Sequence, residues 1–155
     1  MKVKLSTLVE EVDMISEESS VFLDRESGET IFATDEEMRA VEDGDDEDTV
    51  EWTDEEQVDL LRAIIADTSD RFVPLPDRFE VHEWDIMRRF AESVDDDKKA
   101  RELEKAIHGS KAFRRFKDTI NDLGIQEDWY AFRKVWLTDL MRAWCEEHNI
   151  EFEEA

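Results

Sequence analysis

Two stretches of this 155-residue chain carry side chains that could bind or react. The first runs Gly109-Ser110-Lys111-Ala112-Phe113-Arg114-Arg115-Phe116-Lys117 and reads as the start of a helix. Free backbone N–H groups and the positive end of a helix dipole gather at such a start. Ser110, Lys111, Arg114 and Arg115 are therefore a candidate site for a phosphate or carboxylate. The competing reading pairs Arg114, Arg115 and Lys117 with the chain's own carboxylates and uses Phe113 and Phe116 to fill the core. The phenylalanines recur at helix spacing, which is not the layout of a base-stacking platform.

The second stretch is an acidic loop over residues 42–49, followed by Trp52. Asp43, Asp45 and Glu47 alternate as the first ligands of an EF-hand do, but Asp48 then stands where that loop requires glycine. Asp54, not a bidentate glutamate, falls at its twelfth position. The run is read as a solvated loop without a metal site. Its field would steer a basic protein toward Asp43, Asp45, Asp46 and Asp48, and Trp52 would act as a hydrophobic staple or an exposed anchor.

Other chemistries find no support. His82-Glu83 opens like a metalloprotease helix, yet Ile86 occupies the place of the second histidine. His82, His108 and His148 are far apart in sequence and read as helix-surface or helix-end residues. Cys145 is the only cysteine, which leaves no internal disulfide and no cysteine-based zinc cluster, and its tryptophan-rich surroundings predict a buried, inert thiol. There is no Gly-rich phosphate loop and no G-x-S-x-G elbow. No catalytic set and no cofactor are indicated, although catalytic groups need not form short motifs.

Charge narrows the partners. The formal net charge is −24, unevenly spread: residues 35–56 hold thirteen carboxylates and one arginine, whereas residues 98–126 hold eight cations and four carboxylates. Long-range repulsion therefore opposes nucleic acid and anionic bilayers. No apolar run approaches the roughly 18 residues of a membrane span, and the first residues lack a signal-peptide core, so a cytoplasmic protein is expected.

These side chains need elements to hold them. Ser6 with Leu8, Val9, Val12 and Ile15 predicts a capped helix over 7–14. Two apolar runs flanking Arg25-Glu26-Ser27-Gly28 predict a hairpin, which must lie on helices or pair with an extended segment. Thr34-Asp35-Glu36-Glu37 and Thr53-Asp54-Glu55-Glu56 both match a capping box. Pro74 and Pro76 make 71–76 an extended connector. Helices follow on the spacing of Val81, Trp84, Met87, Phe90, Ala91 and Val94, then of Ala100, Leu103 and Ile107. Ser110 is read as the cap of the next, which carries Phe113, Phe116, Ile120 and Leu123 and ends at Gly124. The longest runs from Trp129 through Trp144 and closes at Asn149-Ile150. The expected fold is α+β and mainly helical, with about six helices and one N-terminal hairpin, in a single domain over 1–150. Residues 151–155 read as a frayed acidic tail.

Four blocks add a resemblance. Phe72-Val-Pro-Leu-Pro, Phe79-Glu-Val-His-Glu-Trp-Asp-Ile-Met, Ala112-Phe-Arg-Arg-Phe-Lys-Asp and Glu127-Asp-Trp-Tyr-Ala-Phe-Arg together resemble the uncharacterised bacterial family UPF0158 over nearly the whole chain. The resemblance implies no activity, cofactor or partner, since the family has none assigned. It also implies a glycine where this sequence has Lys111.

The function expected from the residues is therefore binding without catalysis: an acidic interaction module for a basic protein partner. The alternatives are an anion, phosphate or nucleotide sensor using residues 110–117, and a charge excess that reflects only high-salt adaptation. Eight lysines against twelve arginines fit the last.

Overall fold

The computed structural model describes residues 2–43, 55–77 and 81–154. The chain folds into two compact units, Met1–Glu80 with Met141–Ala155, and Val81–Leu140. The class is α+β and mainly helical, with seven helices among the described residues.

In the first unit, β1 (Val3–Lys4) runs directly into α1 (Leu5–Met14). The helix starts two residues earlier than the Ser6 cap predicts. Lys4 holds the cap position in extended geometry, with no side-chain cap hydrogen bond. The reason lies outside the local sequence: β1 pairs in parallel with β5 (Phe152–Glu153), Val3 opposite Phe152, which sets the extended backbone before the first turn. The acidic end expected to fray is thus a strand, and Arg142 Nε donates to Glu154 Oε1 at 3.0 Å. Leu5, Leu8, Val9 and Val12 are buried from α1, and each such side chain withdrawn from water contributes about 1.5–3 kcal/mol before conformational entropy is subtracted.

The hairpin forms as its sequence predicts. Strand β2 (Ser19–Asp24) pairs antiparallel with β3 (Thr30–Thr34), Val21 opposite Phe32, and Gly28 supplies the positive φ of 77° that the turn requires. The proline-bearing connector is itself a strand, β4 (Phe72–Pro74), lying antiparallel to β2 with Phe22 opposite Pro74. The order β3-β2-β4 puts the proline on an edge, where its missing N–H breaks no ladder.

Thr34 then caps α2 (Asp35–Glu42) in a complete capping box, its hydroxyl accepting from Glu37 N–H at 3.1 Å while Glu37 Oε1 accepts from Thr34 N–H at 3.1 Å. Helix α3 (Glu55–Ala66) follows. The capping box predicted to start it falls partly on Thr53 and Asp54, outside the described residues. Ala33, Val41, Val58 and Leu61 form one buried cluster joining the sheet to α2 and α3.

The second unit holds α4 (Glu83–Ser93), α5 (Asp97–Ala106), α6 (Ala112–Leu123) and most of α7 (Gln126–Glu147). Its core is aromatic. Trp129 lies edge-on to Phe116 at 4.9 Å and to Phe90 at 5.4 Å between centroids, and Phe90 meets Phe132 at 5.4 Å. Edge-to-face pairs of this kind contribute about 0.5–1.5 kcal/mol beyond area burial. Two expected core residues lie elsewhere: Trp84 and Phe113 are exposed. Trp84 sits at the edge of the α4 stripe, where its indole N–H donates to Ile107 O at 2.9 Å.

The helix ends read at Gly124 and Asn149 hold. Ile125 N–H reaches Ile120 O and Gly124 N–H reaches Asn121 O; Ile150 N–H reaches Cys145 O and Asn149 N–H reaches Glu146 O. Both are Schellman closures around a left-handed residue, Gly124 at φ 67° and Asn149 at φ 57°.

Candidate functional site

The basic stretch is built differently from its sequence reading. Ser110 does not cap α6. The cap position belongs to Lys111, which has a left-handed backbone (φ 58°, ψ 33°) and no side-chain cap bond. A left-handed turn is needed there to reverse the chain between α5 and α6, and it accounts for the glycine that the family resemblance implies at this position. Ser110, Lys111 and Arg114 are exposed.

Arg115 is exposed as well, yet its guanidinium is committed to backbone: NH1 donates to His108 O at 2.8 Å and NH2 to Lys105 O at 3.3 Å. It closes carbonyls left open at the end of α5, the role a cation takes at a helix C-terminus. Phe116 is fully buried, whereas Phe113 stands in solvent. The Lys117 ammonium lies 5.3 Å from the Phe113 ring and 5.9 Å from the Tyr130 ring, so this lysine faces aromatic π density in place of a carboxylate.

Among the described residues, no cation within 98–126 forms an ion pair. The pairs that exist lie outside that stretch. Arg133 grips the Glu83 carboxylate inside the second unit, and Arg88 meets Glu92 at 3.4 Å.

Of the acidic candidates, Asp43 is described: it is exposed and ends α2, donating its N–H to Arg39 O. Asp45, Asp46, Asp48 and Trp52 lie outside the described residues. The helices on either side, α2 and α3, present exposed Glu36, Glu42, Asp43 and Glu55, and exposed Phe32 stands on β3 before α2. Gln57 on α3 donates to the Phe32 carbonyl at 2.8 Å, tying that strand to the helix. Among the described residues, no group of three or more His, Cys, Asp or Glu side chains is arranged to hold a metal ion. Cys145 is buried, and burial pushes its thiol up to about 11, far from a reactive thiolate at neutral pH.

A polar cluster that sequence reasoning missed centres on Asp24, only 4% exposed at the end of β2. Its two carboxylate oxygens take Arg71 Nε at 2.9 Å and NH2 at 3.0 Å, the Glu26 N–H at 3.0 Å and the Ser27 hydroxyl at 3.0 Å. The Arg71 guanidinium holds the carboxyl down to about 2, with the two turn donors adding to it against burial. Arg25 extends the cluster, donating to Asp70 O at 2.8 Å and His148 O at 2.9 Å. A guanidinium, a buried carboxylate and filled acceptor positions leave little capacity for an external ligand, and the cluster acts as a clamp on the hairpin turn. One local cue existed, an aspartate opening a turn with serine three residues on; the arginine partner, 47 residues away, has no local signal.

Fold and surface together describe an acidic, mainly helical α+β protein with one basic helix start and no helix long and apolar enough to cross a membrane among the described residues. The chain belongs to the Uncharacterised protein family (UPF0158), whose model matches residues 1–154. No curated protein and no solved structure matches it.

Proposed function

We propose that the chain is a non-enzymatic acidic binding module acting in the cytoplasm on a basic protein partner. The observation that carries this reading is exposed charge that the described ion pairs leave unused. Among the described residues the cations of 98–126 neutralise no carboxylate, while Glu36, Glu42, Asp43 and Glu55 stand exposed on α2 and α3. A concentrated field accelerates encounter with an opposite charge, and an exposed ring such as Phe32 supplies short-range affinity. The test replaces Asp43, Asp45, Asp46 and Asp48 with Asn and compares affinity capture from the native cell extract, by mass spectrometry, at low and high salt. A basic protein retained by the unmodified chain at low salt and lost by the variant is the expected result. Capture unchanged by the replacement overturns the reading.

A second reading rests on Lys111 and Arg114, exposed and without ion-pair partners among the described residues. With Ser110 they would receive a phosphate, and Arg115 would contribute only by leaving its carbonyl partners. Titration with inorganic phosphate and short oligonucleotides separates this from the first reading, and a flat binding curve removes it.

A further inference from the structure

Two adjoining depressions run between α4 and α7 inside the second unit, one of about 600 Å3 and one of about 460 Å3, and they share Ser93, Phe132 and Val135. Ile125, Phe132, Val135 and Trp136 make their floor apolar. Val135 is 62% exposed, the most water-facing large aliphatic of the unit, and Phe132 and Trp136 are half-buried. A contiguous apolar strip of this kind, rimmed by charge, is the usual form of an interaction surface.

The rim decides what covers it. Glu92, Asp95, Asp96, Asp128 and Asp139 border the two depressions, against Lys99 and Arg89; Glu92 already meets Arg88 and Asp96 caps α5, so exposed Asp95 and Asp128 supply the attraction. A second copy of this chain, itself at −24, would bring like charge to an acidic rim. A cationic partner removes repulsion and adds attraction at the same contact.

We propose that this groove seats an amphipathic helix of a basic partner protein, apolar face down, with its Lys and Arg residues on the acidic rim. The proposal rests on the acidic-module reading and gives that reading a docking surface on the second unit. The floor and rim follow α7 from Asp128 to Asp139, about 16 Å at 1.5 Å per residue, so a partner helix of roughly three to four turns, with apolar residues at i, i+3 or i+4, and i+7, matches the length.

The test uses the full chain and a fluorescein-labelled 14-residue Leu/Lys helix patterned in that way, read by fluorescence anisotropy. Controls are a scrambled peptide of the same composition and a version with Glu for every Lys. The patterned Lys peptide is expected to bind at least about tenfold tighter than the scrambled one, and the Glu version not at all. Val135→Asp should weaken binding about tenfold or more by placing a charge on the apolar floor. Its side chain faces water, so the fold is retained, as circular dichroism will check. Asp95→Asn with Asp128→Asn should weaken binding several-fold and flatten its salt dependence.

Equal affinity for patterned and scrambled peptides, no binding of the patterned peptide, or indifference to Val135→Asp overturns the groove. Dimers dispersed by Val135→Asp would assign it to a second copy and overturn it as well. The four-site Asn variant of 43–48 separates the two readings. Peptide affinity is expected to stay within about twofold in it. Loss of peptide binding there, with Val135→Asp silent, ends the groove while the acidic module stands. A groove that binds the peptide in a chain capturing no basic protein from its extract ends the parent reading alone.

Discussion

The two units hold themselves together by different means. In the first, the hairpin turn is fixed by one buried carboxylate with four donors, Arg71 supplying two of them, while Ala33, Val41, Val58 and Leu61 pack the sheet against α2 and α3. In the second, Phe90, Phe116 and Trp129 interlock edge to face with Phe132 tilted against Phe90, and Arg133 pairs with Glu83. A three-stranded sheet buries limited area and leaves a turn to be pinned, which a charge-assisted bidentate pair does with directionality. A helical cluster with a buried tryptophan gains its stability from area and dispersion. The contrast teaches where charge in this molecule is structural and where it stays at the surface: Asp24 is consumed by the fold, whereas Glu36, Glu42, Asp43 and Glu55 stand exposed.

Breaking each device tests that contrast. The largest effect is expected at Trp129, 1% exposed, where Trp129→Ala should cost about 3–5 kcal/mol through lost transfer energy and an unfilled cavity. Its exposed neighbour Tyr130 should lose under about 0.5 kcal/mol as Ala, and urea titration with far-UV circular dichroism compares the two. Next, Asp24→Ala should cost about 2–3 kcal/mol, because it removes the acceptor of two turn donors and leaves Arg71 with Glu26 at 3.4 Å as its remaining carboxylate; a double-mutant cycle with Arg71→Ala isolates the pair.

The same carboxylate sets a pH signature. Its folded value, about 2, lies below the ordinary 3.8, so its contribution is complete above the ordinary value and is lost as pH falls toward 2. Discounted for the partly exposed arginine, that is about 1–2 kcal/mol. Stability curves from pH 6 to pH 2 should be shallower in Asp24→Asn, and as steep as normal in a variant confined to the aromatic cluster. Glu154, held down by Arg142, and Asp67, held down mainly by the Phe72 N–H, leave a residual slope. The smallest effect is a gain: Lys111→Gly relieves a left-handed backbone at φ 58° and should stabilise the chain by up to about 1 kcal/mol, less the extra unfolded-state entropy of glycine.

Features set by neighbours in the chain were readable in advance. The Thr34 box, the Gly28 turn, and the Gly124 and Asn149 closures each depend on residues within about five positions, where propensity and hydrogen-bond geometry act without help from the rest of the molecule. The misjudged features share the opposite property. Ser110 had the right chemistry for a cap, but the turn joining α5 to α6 needed a left-handed residue one position later. Trp84 and Phe113 carried helix-core spacing, yet each falls at the margin of its apolar stripe, and periodicity does not say how wide a stripe the neighbours cover. For the candidate site, the uneven charge was visible in the composition, while the use of Arg115 on carbonyl oxygens and the groove between α4 and α7 were not.

The amino-acid order alone determined the class of the fold, most helix limits, the hairpin and the segregation of charge, because these follow from short-range sterics and from counting. Tertiary structure alone decided that 72–74 and 152–153 become strands, that Asp24 meets Arg71, and which aromatic rings face water. Those outcomes depend on pairings between residues tens of positions apart, whose loop-closure cost is recovered only when the whole surrounding core is in place.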